Sequence, residues 1–485
     1  MNYFKKLFEQ SSYYFISNVI VMIAGFISFP IWTRIFTKAE YGVFSLVGIT
    51  ISLGVGFSKF GLQHAALRYH SDFKEKKTNL DMSYYYTTLF MGSLLISGMI
   101  ISIALLSIET LFRNYIDRPL LELIPLVAVL IFTGTITSVL TMFIRADNRA
   151  KLYSIFIVIK KYGGLLLALF IVFHFMRNLR GLFMGFALSD ILMLTFLIVL
   201  FLNKMKITRI SFPFLKEAIR YSFPLIWMEL SNMILNFGDR YLIQFYMGSD
   251  SVGIYSAGYN LTNMAQSFLT TPLRLAIIPM YLQIWNREGE RRTINFLSNT
   301  LDYYFMLAIP IVVGMIWYGK EIIIVLATSK FQESAIVIPY IVIPLVLHGA
   351  YVIYGAGFFI QKKTKILMYL ALTAGIVNIA LNIILIPKFG ILGAAYATLI
   401  AYILLSSLIA LISYKFLKIN IQLKKLLIYL FLSFFTMMAI SIYPAKNILE
   451  LLIKIAVGII VYSIGAFIID IKIRQKVLSI LLKRG

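Results

Sequence analysis

The sequence predicts an all-α membrane protein that crosses the bilayer about fourteen times. Sixty per cent of its 485 residues are apolar and the mean hydropathy is +0.86, which excludes an ordinary soluble domain. From Ser11 to Asp470, apolar runs of roughly 18–25 residues recur, and each run is long enough to cross a bilayer core as a helix. No stretch between the runs exceeds about twenty residues, so the chain has no room for a folded soluble domain.

The predicted spans follow one another through short connections. The first run is too long for the apolar core of a signal peptide and lacks a small-residue cleavage site, so we interpret it as a retained helix. Because the connections are short, consecutive helices must be antiparallel neighbours. We place the spans at 11–36, 41–62, 82–107, 119–143, 152–173, 181–203, 216–238, 252–283, 296–318, 333–359, 366–387, 390–414, 425–443 and 448–470.

The positively charged residues lie mainly on one side of the predicted membrane. With Lys5 and Lys6 in the cytoplasm, about 29 of the 45 Lys and Arg residues are cytoplasmic, about 12 are external and about four lie within spans. This positive-inside bias predicts a bacterial inner-membrane protein with both termini in the cytoplasm. It also explains most of the net charge of +24, so no nucleic-acid partner is needed.

An internal repeat divides the chain. The sequence YGVFS at 41–45 opens the second span and VGIYS at 252–256 opens the eighth, and GLF at 181–183 has a weaker counterpart, GIL, at 390–392. Two matches in order, at an offset of about 211 residues, indicate a duplication of six spans. The copies share one orientation and are related by a pseudo-two-fold axis along the membrane normal. We therefore predict six-helix bundles over 1–210 and 211–418, followed by an extra helix pair and basic tail over 419–485.

Polar residues form one narrow stripe along each of the second and eighth spans, when the helices are projected at about 100° per residue. Helix packing explains the small residues, but it explains Lys59 and Arg274 poorly because a buried cation beside a packed helix is costly. A water-filled cavity between the halves explains all positions, although Lys59 is also close enough to its span's end to reach the interface. At the repeat offset the stripes correspond one for one: Ser45, Gly48, Ser52, Gly56, Lys59 and Gln63, then Ser256, Tyr259, Asn263, Ser267, Thr270 and Arg274.

Further charged residues within the spans each have a functional and a structural interpretation. Of the adjacent Lys160 and Lys161, at most one faces a cavity, because neighbouring residues cannot share a helix face. Glu229 is either a cation or proton coupling site or the partner of a Lys or Arg. Asp239 is a second coupling candidate, and with Arg240 it alternatively forms a local ion pair or helix cap.

Nothing in the sequence indicates catalysis. The chain has no cysteine, so thiolate metal sites and cysteine nucleophiles are excluded, and its four histidines are dispersed. Residues 314–320 fit the phosphate-loop spacing G-x-x-x-x-G-K, but Glu321 follows where Ser or Thr is needed, and the match ends a membrane span. We predict no enzyme activity, no cofactor and no metal. Transport would be driven by membrane potential, a substrate gradient, or Na+ or H+ as coupling ion.

Two segments carry a family resemblance. The first runs from Ser17-Asn18 through FPIWTRIF at 29–36 to EYG at 40–42, and the second is GDRY at 238–241 followed by VGIYSA at 252–257. Both resemble the polysaccharide-exporter (Wzx-like) flippases, in the superfamily that includes multidrug extruders and lipid II flippases. The resemblance covers essentially the whole chain and implies two six-helix bundles around a V-shaped cavity. It also implies a cargo of oligosaccharide on undecaprenyl diphosphate, moved from the cytoplasmic to the outer leaflet.

This resemblance implies a role for each cavity residue. Sparse cations would attract the diphosphate, amide and hydroxyl groups would bind sugars, and Tyr259 would offer a stacking surface. The candidates are Arg274, Lys59, Ser52, Gln63, Tyr259, Asn263, Ser267, Thr270, Lys160, Lys161, Arg34 and Asn18.

Several alternatives stay open. The extra helix pair resembles that of the lipid II flippases, and a cation-coupled multidrug exporter would share the architecture. A membrane glycosyltransferase would need a large external loop with carboxylates, and a scaffold would not explain the stripes. Expected partners are membrane lipids and the polymerase or glycosyltransferases of the same pathway, with a monomer as the functional unit.

Overall fold

The computed structural model describes residues 2–113, 118–206, 208–441, 444–470 and 474–475, and within these ranges it contains helices and no β-strand. A π-helical turn covers Ile108–Phe112, and a 3-10 helix covers Ser329–Val337. The α-helices are α1 (Asn2–Ile35), α2 (Lys38–Ser58), α3 (Leu62–Lys74), α4 (Met82–Ser107), α5 (Arg118–Leu121), α6 (Ile124–Ala146), α7 (Ala150–His174), α8 (Leu179–Leu202), α9 (Phe212–Phe237), α10 (Asp239–Ala327), α11 (Ile338–Tyr354), α12 (Ala356–Ile360), α13 (Thr364–Phe389), α14 (Ile391–Tyr414), α15 (Leu423–Ile440) and α16 (Ile448–Ile469).

Among the described residues, 12 helical segments are long and apolar enough to cross a membrane. Each coincides with one of the predicted spans, so the prediction of an all-α polytopic membrane protein is confirmed. The two remaining predicted spans, 216–238 and 252–283, are also helical, in α9 and α10. They are more polar than the other twelve, because they carry many of the polar residues that the sequence singles out.

The helices group into two compact units. Unit 1 comprises Met1–Ser28 and Ala39–Tyr241, and unit 2 comprises Phe29–Lys38 and Leu242–Gly485. Helix α9 therefore belongs to unit 1, α15 and α16 belong to unit 2, and α1 begins in one unit and ends in the other. The division into repeated segments 1–210 and 211–418 with an extra pair over 419–485 stays a prediction.

Aromatic side chains fill the core of unit 1, where α3, α4, α6 and α9 meet. Tyr85 is completely buried, and its hydroxyl donates a hydrogen bond of 2.5 Å to the carbonyl oxygen of Ala66. The rings of Phe73 and Phe143 lie 5.5 and 5.3 Å from the Tyr85 ring. These contacts fix the short helix α3 against the longer helices.

Two glycines interrupt α10. Gly248 and Gly289 have φ angles of 80° and 81°, in the left-handed region that a glycine adopts without steric cost. The uninterrupted stretch between them, 249–288, carries the whole polar stripe of the eighth predicted span. The predicted cytoplasmic connection after that span is thus a glycine break within helical structure.

The extra pair α15 and α16 is fastened to unit 2 by buried ion pairs. The Nζ atom of Lys454 lies 2.9 and 3.0 Å from the two carboxylate oxygens of Glu321, and the backbone N–H of Ala445 donates to the same carboxylate at 2.7 Å. Near the opposite end, Lys425 Nζ lies 2.9 Å from Asp470 Oδ2, which joins α15 to the end of α16, and 3.8 Å from Asp302 Oδ2 of α10, which joins the pair to the rest of unit 2. The pair is therefore an integral part of unit 2.

Candidate functional site

A break between α2 and α3 creates the most concentrated polar site in unit 1. Helix α2 ends at Ser58 and α3 begins at Leu62, with Phe60 and Gly61 in the left-handed region at φ 44° and 73°. A Cβ atom on Gly61 would lie 2.6 Å from Ser222 Cβ, so only glycine lets the break approach α9 this closely. The span predicted over 41–62 is present as a helix, but it ends at Ser58, a few residues earlier than predicted.

The break places Lys59 against Glu229 of α9. Lys59 Nζ lies 2.5 Å from Glu229 Oε1. Gln63 Nε2 donates to Glu229 Oε2 at 3.2 Å, and His64 Nε2 lies 3.9 Å from that oxygen. Of the two interpretations of Glu229, the structure gives it the lysine partner. His64 was not recognised from the sequence, because its only signal is proximity to a residue 165 positions away, which appears only on folding.

The burial of this pair is unequal. The side chain of Lys59 is 10% exposed and that of Glu229 is 35% exposed. Gln63 is also buried, and its Oε1 atom has no hydrogen-bond partner in the part of the chain that the structure describes. The site thus contains a buried cation, Lys59, a partly exposed carboxylate, Glu229, and a buried acceptor without a described donor, Gln63 Oε1.

The rest of the α2 stripe divides between packing and exposure. Gly56 packs against α9, where an added Cβ would lie 3.3 Å from Leu230 and Met233. Ser52 is exposed at the protein surface, and its hydroxyl donates to the carbonyl oxygen of Gly48 at 2.8 Å. Packing therefore explains Gly56, whereas Ser52 is available to lipid, water or a ligand.

The stripe of α10 divides in the same way. Tyr259 and Thr270 are buried, and Thr270 packs against Gly349 of α11. Asn263 and Ser267 are half-buried. A stacking role for Tyr259 would require it to become exposed, since it is 2% exposed in this structure.

Arg274 is the most accessible cation of the α10 stripe. Its side chain is exposed, and it forms no ion pair with any described residue. A guanidinium in this position keeps all its donors available for an anionic group. The ranking of Arg274 above Lys59 as an anion-binding group stays a prediction.

Of four other predicted site residues, Lys160, Arg34 and Asn18 have polar partners within their own units. Lys160 Nζ lies 3.2 Å from Asp190 Oδ2 on α8, whereas Lys161 is exposed. Arg34 donates to the carbonyl oxygens of Leu326 and Val325 at 2.6 and 2.9 Å, which caps the C-terminal end of α10. Asn18 donates to the carbonyl oxygen of Tyr14 in its own helix at 2.8 Å.

Asp239 and Arg240 form an ion pair in which both side chains are 1% exposed. Arg240 Nη1 lies 2.6 Å from Asp239 Oδ1 and 2.5 Å from the carbonyl oxygen of Asn236. The local ion pair that the sequence suggests is therefore present at the start of α10.

A second ionic cluster in unit 1 was not predicted. Asp147, in the turn between α6 and α7, lies 2.9 Å from His70 Nε2, 2.7 Å from Lys204 Nζ and 3.0 Å from the Tyr86 hydroxyl. Burial opposes ionisation of Asp147, but the hydrogen bonds from His70, Lys204 and Tyr86 outweigh it and hold its pKa well below the ordinary value. This cluster joins four segments of unit 1 at one end.

Among the described residues, no group of three or more His, Asp or Glu side chains is placed to hold a metal ion. In the described part of the chain, carboxylates instead pair with lysine, as at Lys59–Glu229, or with arginine, as at Arg240–Asp239, whereas Arg274 has no ion pair. Such groups can recognise charged and polar partners.

Comparison with known proteins decides the family. The family described as "Polysaccharide biosynthesis protein" matches residues 7–285, more than half of the chain. The chain belongs to this family. This match confirms the family resemblance that was inferred from the sequence.

Named relatives are distant. The probable low-salt glycan biosynthesis flippase Agl15 of Haloferax volcanii is 24% identical over 193 residues, a match covering 40% of each chain. The probable flippase AglR of the same organism is 23% identical over 390 residues, covering 75% of this chain and 78% of AglR. Because the match to Agl15 covers less than half of that protein, it describes a shared segment.

The structure of the lipid II flippase MurJ in an inward closed conformation resembles this fold. The TM-score is 0.75 at 18% identity, and the match covers 95% of this chain and 98% of MurJ. At this identity the likeness establishes the fold alone. It extends over nearly the whole chain of this polysaccharide biosynthesis protein family member.

Proposed function

We propose that this protein is a flippase that moves an oligosaccharide linked to undecaprenyl diphosphate from the cytoplasmic to the outer leaflet. Membership of the polysaccharide biosynthesis family supports the proposal, as do the two relatives named as flippases. The structural observation that carries it is Arg274, an exposed arginine without an ion pair to any described residue, on the polar stripe of α10.

The stripe suits such a cargo chemically. A diphosphate is anionic, and the planar guanidinium of Arg274 donates two parallel hydrogen bonds to phosphate oxygens. Asn263 and Ser267, half-buried about three and two turns before Arg274, offer an amide and a hydroxyl to sugars. The lipid tail stays in the bilayer. Transport would proceed by alternating access, with the protein acting as a transporter and catalysing no covalent step.

Glu229 and Asp239 are the candidates for coupling to a Na+ or H+ gradient. Glu229 is the stronger of the two, since its carboxylate is partly exposed whereas Asp239 is almost completely buried. We place the protein in the bacterial plasma membrane with both termini in the cytoplasm, working as a monomer beside the enzymes of its pathway.

Lipid II is the alternative cargo, and one observation favours it. The likeness to the MurJ fold covers 95% of this chain and 98% of MurJ. Both cargoes carry a polyprenyl diphosphate, so the same cation serves either one.

Reconstitution tests the proposal. The protein is placed in liposomes that contain a fluorescent undecaprenyl-diphosphate oligosaccharide in the inner leaflet, and a membrane-impermeant glycosidase outside reports the glycan that crosses. We expect crossing that needs the protein and is faster with an imposed Na+ or H+ gradient. Lipid II in matched liposomes distinguishes the alternative. Equal crossing in protein-free liposomes would refute a flippase.

A further inference from the structure

The pairing of Lys59 with Glu229 raises the question of which partner can leave. Lys59 is shielded, with a side chain 10% exposed, and it sits in a break that Gly61 holds tightly against Ser222. A shielded cation left without an anion is costly, whereas an exposed carboxylate can be solvated. Glu229, at 35% exposed, is therefore the mobile partner and Lys59 the fixed one.

The donors around Glu229 form an arrangement that suits any group rich in oxygen. Lys59 Nζ contacts one carboxylate oxygen at 2.5 Å, while Gln63 Nε2 and His64 Nε2 lie 3.2 and 3.9 Å from the other. Two oxygens of a phosphate group span a distance similar to those of a carboxylate and accept the same donors. The carboxylate thus stands where phosphate oxygens would stand.

An unused acceptor lies beside these donors. Gln63 is 6% exposed, and its Oε1 atom has no partner in the described part of the chain. A buried acceptor without a donor loses free energy that a ligand hydroxyl would restore. This second observation indicates that the site is incomplete when Glu229 alone occupies it.

We propose that Glu229 is a resident anion that occupies a phosphate-binding position in unit 1, and that the diphosphate of the cargo displaces it from Lys59. This inference rests on the proposed function, from which it takes the cargo. Glu229 keeps Lys59 neutralised while the site is empty and swings to its exposed side when a phosphate arrives. On release it returns to Lys59, so the pair weakens retention of the diphosphate and promotes turnover.

Binding of soluble probes tests the displacement. Inorganic pyrophosphate and farnesyl diphosphate are titrated by calorimetry into the purified full-length protein in detergent. Glu229→Gln removes the competing charge, so both probes should bind about tenfold more tightly than to the wild type. Lys59→Ala should weaken binding, and Lys59→Ala combined with Glu229→Gln should bind no better than Lys59→Ala alone.

A matched control separates this effect from the general loss of a carboxylate. Glu321 also pairs with a lysine, Lys454, whose side chain is 10% exposed like that of Lys59, but the pair fastens α16 to α10. Glu321→Gln should leave probe affinity unchanged. Glu229→Asp, which retains the charge but shortens the reach to Lys59, serves where Glu229→Gln does not fold, and it should tighten binding by a smaller factor.

The outcomes distinguish this inference from the proposed function. Unchanged or weaker probe binding by Glu229→Gln and Glu229→Asp would overturn the displacement. Wild-type affinity in Lys59→Ala with loss of binding in Arg274→Ala would overturn it too, while leaving the proposed function intact. Failure of the wild type and all variants to bind either probe would overturn diphosphate recognition, and with it both proposals.

Discussion

The two polar stripes of this protein correspond in sequence, but the helices that carry them have different backbone conformations. In unit 1 the helix breaks after Ser58, and the buried Lys59 is held by a carboxylate from α9. In unit 2 the stretch 249–288 of α10 runs unbroken, and Arg274, at the position that corresponds to Gln63, is exposed with no ion pair to a described residue. The same pattern of polar residues therefore includes an ion-paired lysine, Lys59, in unit 1 and an exposed arginine without a described ion pair, Arg274, in unit 2. The difference lies both in the backbone, since the helix ends at Ser58 in unit 1, and in the position of the charge along the stripe.

The largest expected effect concerns Arg274. Arg274→Ala should lower the flipping rate by about 100-fold at equal protein levels, because a charge-assisted bidentate contact to phosphate is lost. Arg274→Lys should retain part of the rate, since the charge remains but the planar fork is gone. The measurement is flipping in proteoliposomes. Wild-type rates for the alanine variant would show that the availability of this charge has no function.

The cluster around Asp147 tests whether held charges in unit 1 are structural. Asp147→Asn should lower the free energy of unfolding by about 2–3 kcal/mol, because Lys204 and His70 lose their anion. Thermal unfolding in detergent measures the change. A stability equal to that of the wild type would show that the cluster does not stabilise unit 1.

The same cluster predicts a pH dependence with a definite sign. The pKa of Asp147 is lowered in the folded protein, by hydrogen bonds that outweigh burial, so its stabilising contribution is complete above the ordinary value of 3.8 and is lost as the pH falls below it. The difference in melting temperature between the wild type and Asp147→Asn should therefore be constant from pH 7 to pH 5 and shrink below pH 4. A difference that grows on acidification would contradict this assignment.

A smaller effect is expected at the break itself. Gly61→Ala should cost about 2 kcal/mol of unfolding free energy, because alanine is strained at φ 73° and its Cβ would crowd Ser222. Gly48→Ala in the same region is the control, since no atom lies within 4 Å of a Cβ there. That variant should be neutral or slightly stabilising, as expected for alanine in a helix. Equal effects from both substitutions would mean that the break is not specified by Gly61.

The smallest perturbation tests the accessibility of both stripes. The chain contains no cysteine, so single introduced thiols are labelled without background. Ser52→Cys and Asn263→Cys should both react with a small water-soluble maleimide, because Ser52 is exposed and Asn263 half-buried. Leu261→Cys, at a buried position off the stripe, should not react. Protection of both stripe positions would favour helix packing over a cavity.

Hydropathy was sufficient to predict most of the fold. Twelve predicted spans coincide with apolar helices, because a run long enough to cross a bilayer has few alternatives to a helix. The spans 216–238 and 252–283 were also predicted from their apolar runs, although they are more polar than the rest. Both contain residues with ionic or polar partners, such as Glu229 and Thr270.

The site was less predictable for a physical reason. A projection at a fixed angle per residue carries a helix through Gly61, because a single glycine is tolerated in many helices. Gly61 adopts the left-handed conformation close to Ser222, which is more than 160 residues away. The sequence allowed a Lys or Arg partner for Glu229 but could not say which one, because Lys59 and Glu229 are 170 residues apart. Arg274 is exposed on an unbroken helix, and its role in anion binding stays a prediction.

The buried pair between Glu321 and Lys454 has a consequence for biogenesis. Glu321 enters the membrane region of the nascent chain 124 residues before Ala445 and 133 residues before Lys454. At a synthesis rate of about 5–20 residues per second, that carboxylate waits on the order of ten seconds for its partners. During this interval it must be protonated, hydrated or shielded by the insertion machinery. A chain truncated before α15 would never leave this state, which makes the last two helices a checkpoint for the maturation of unit 2.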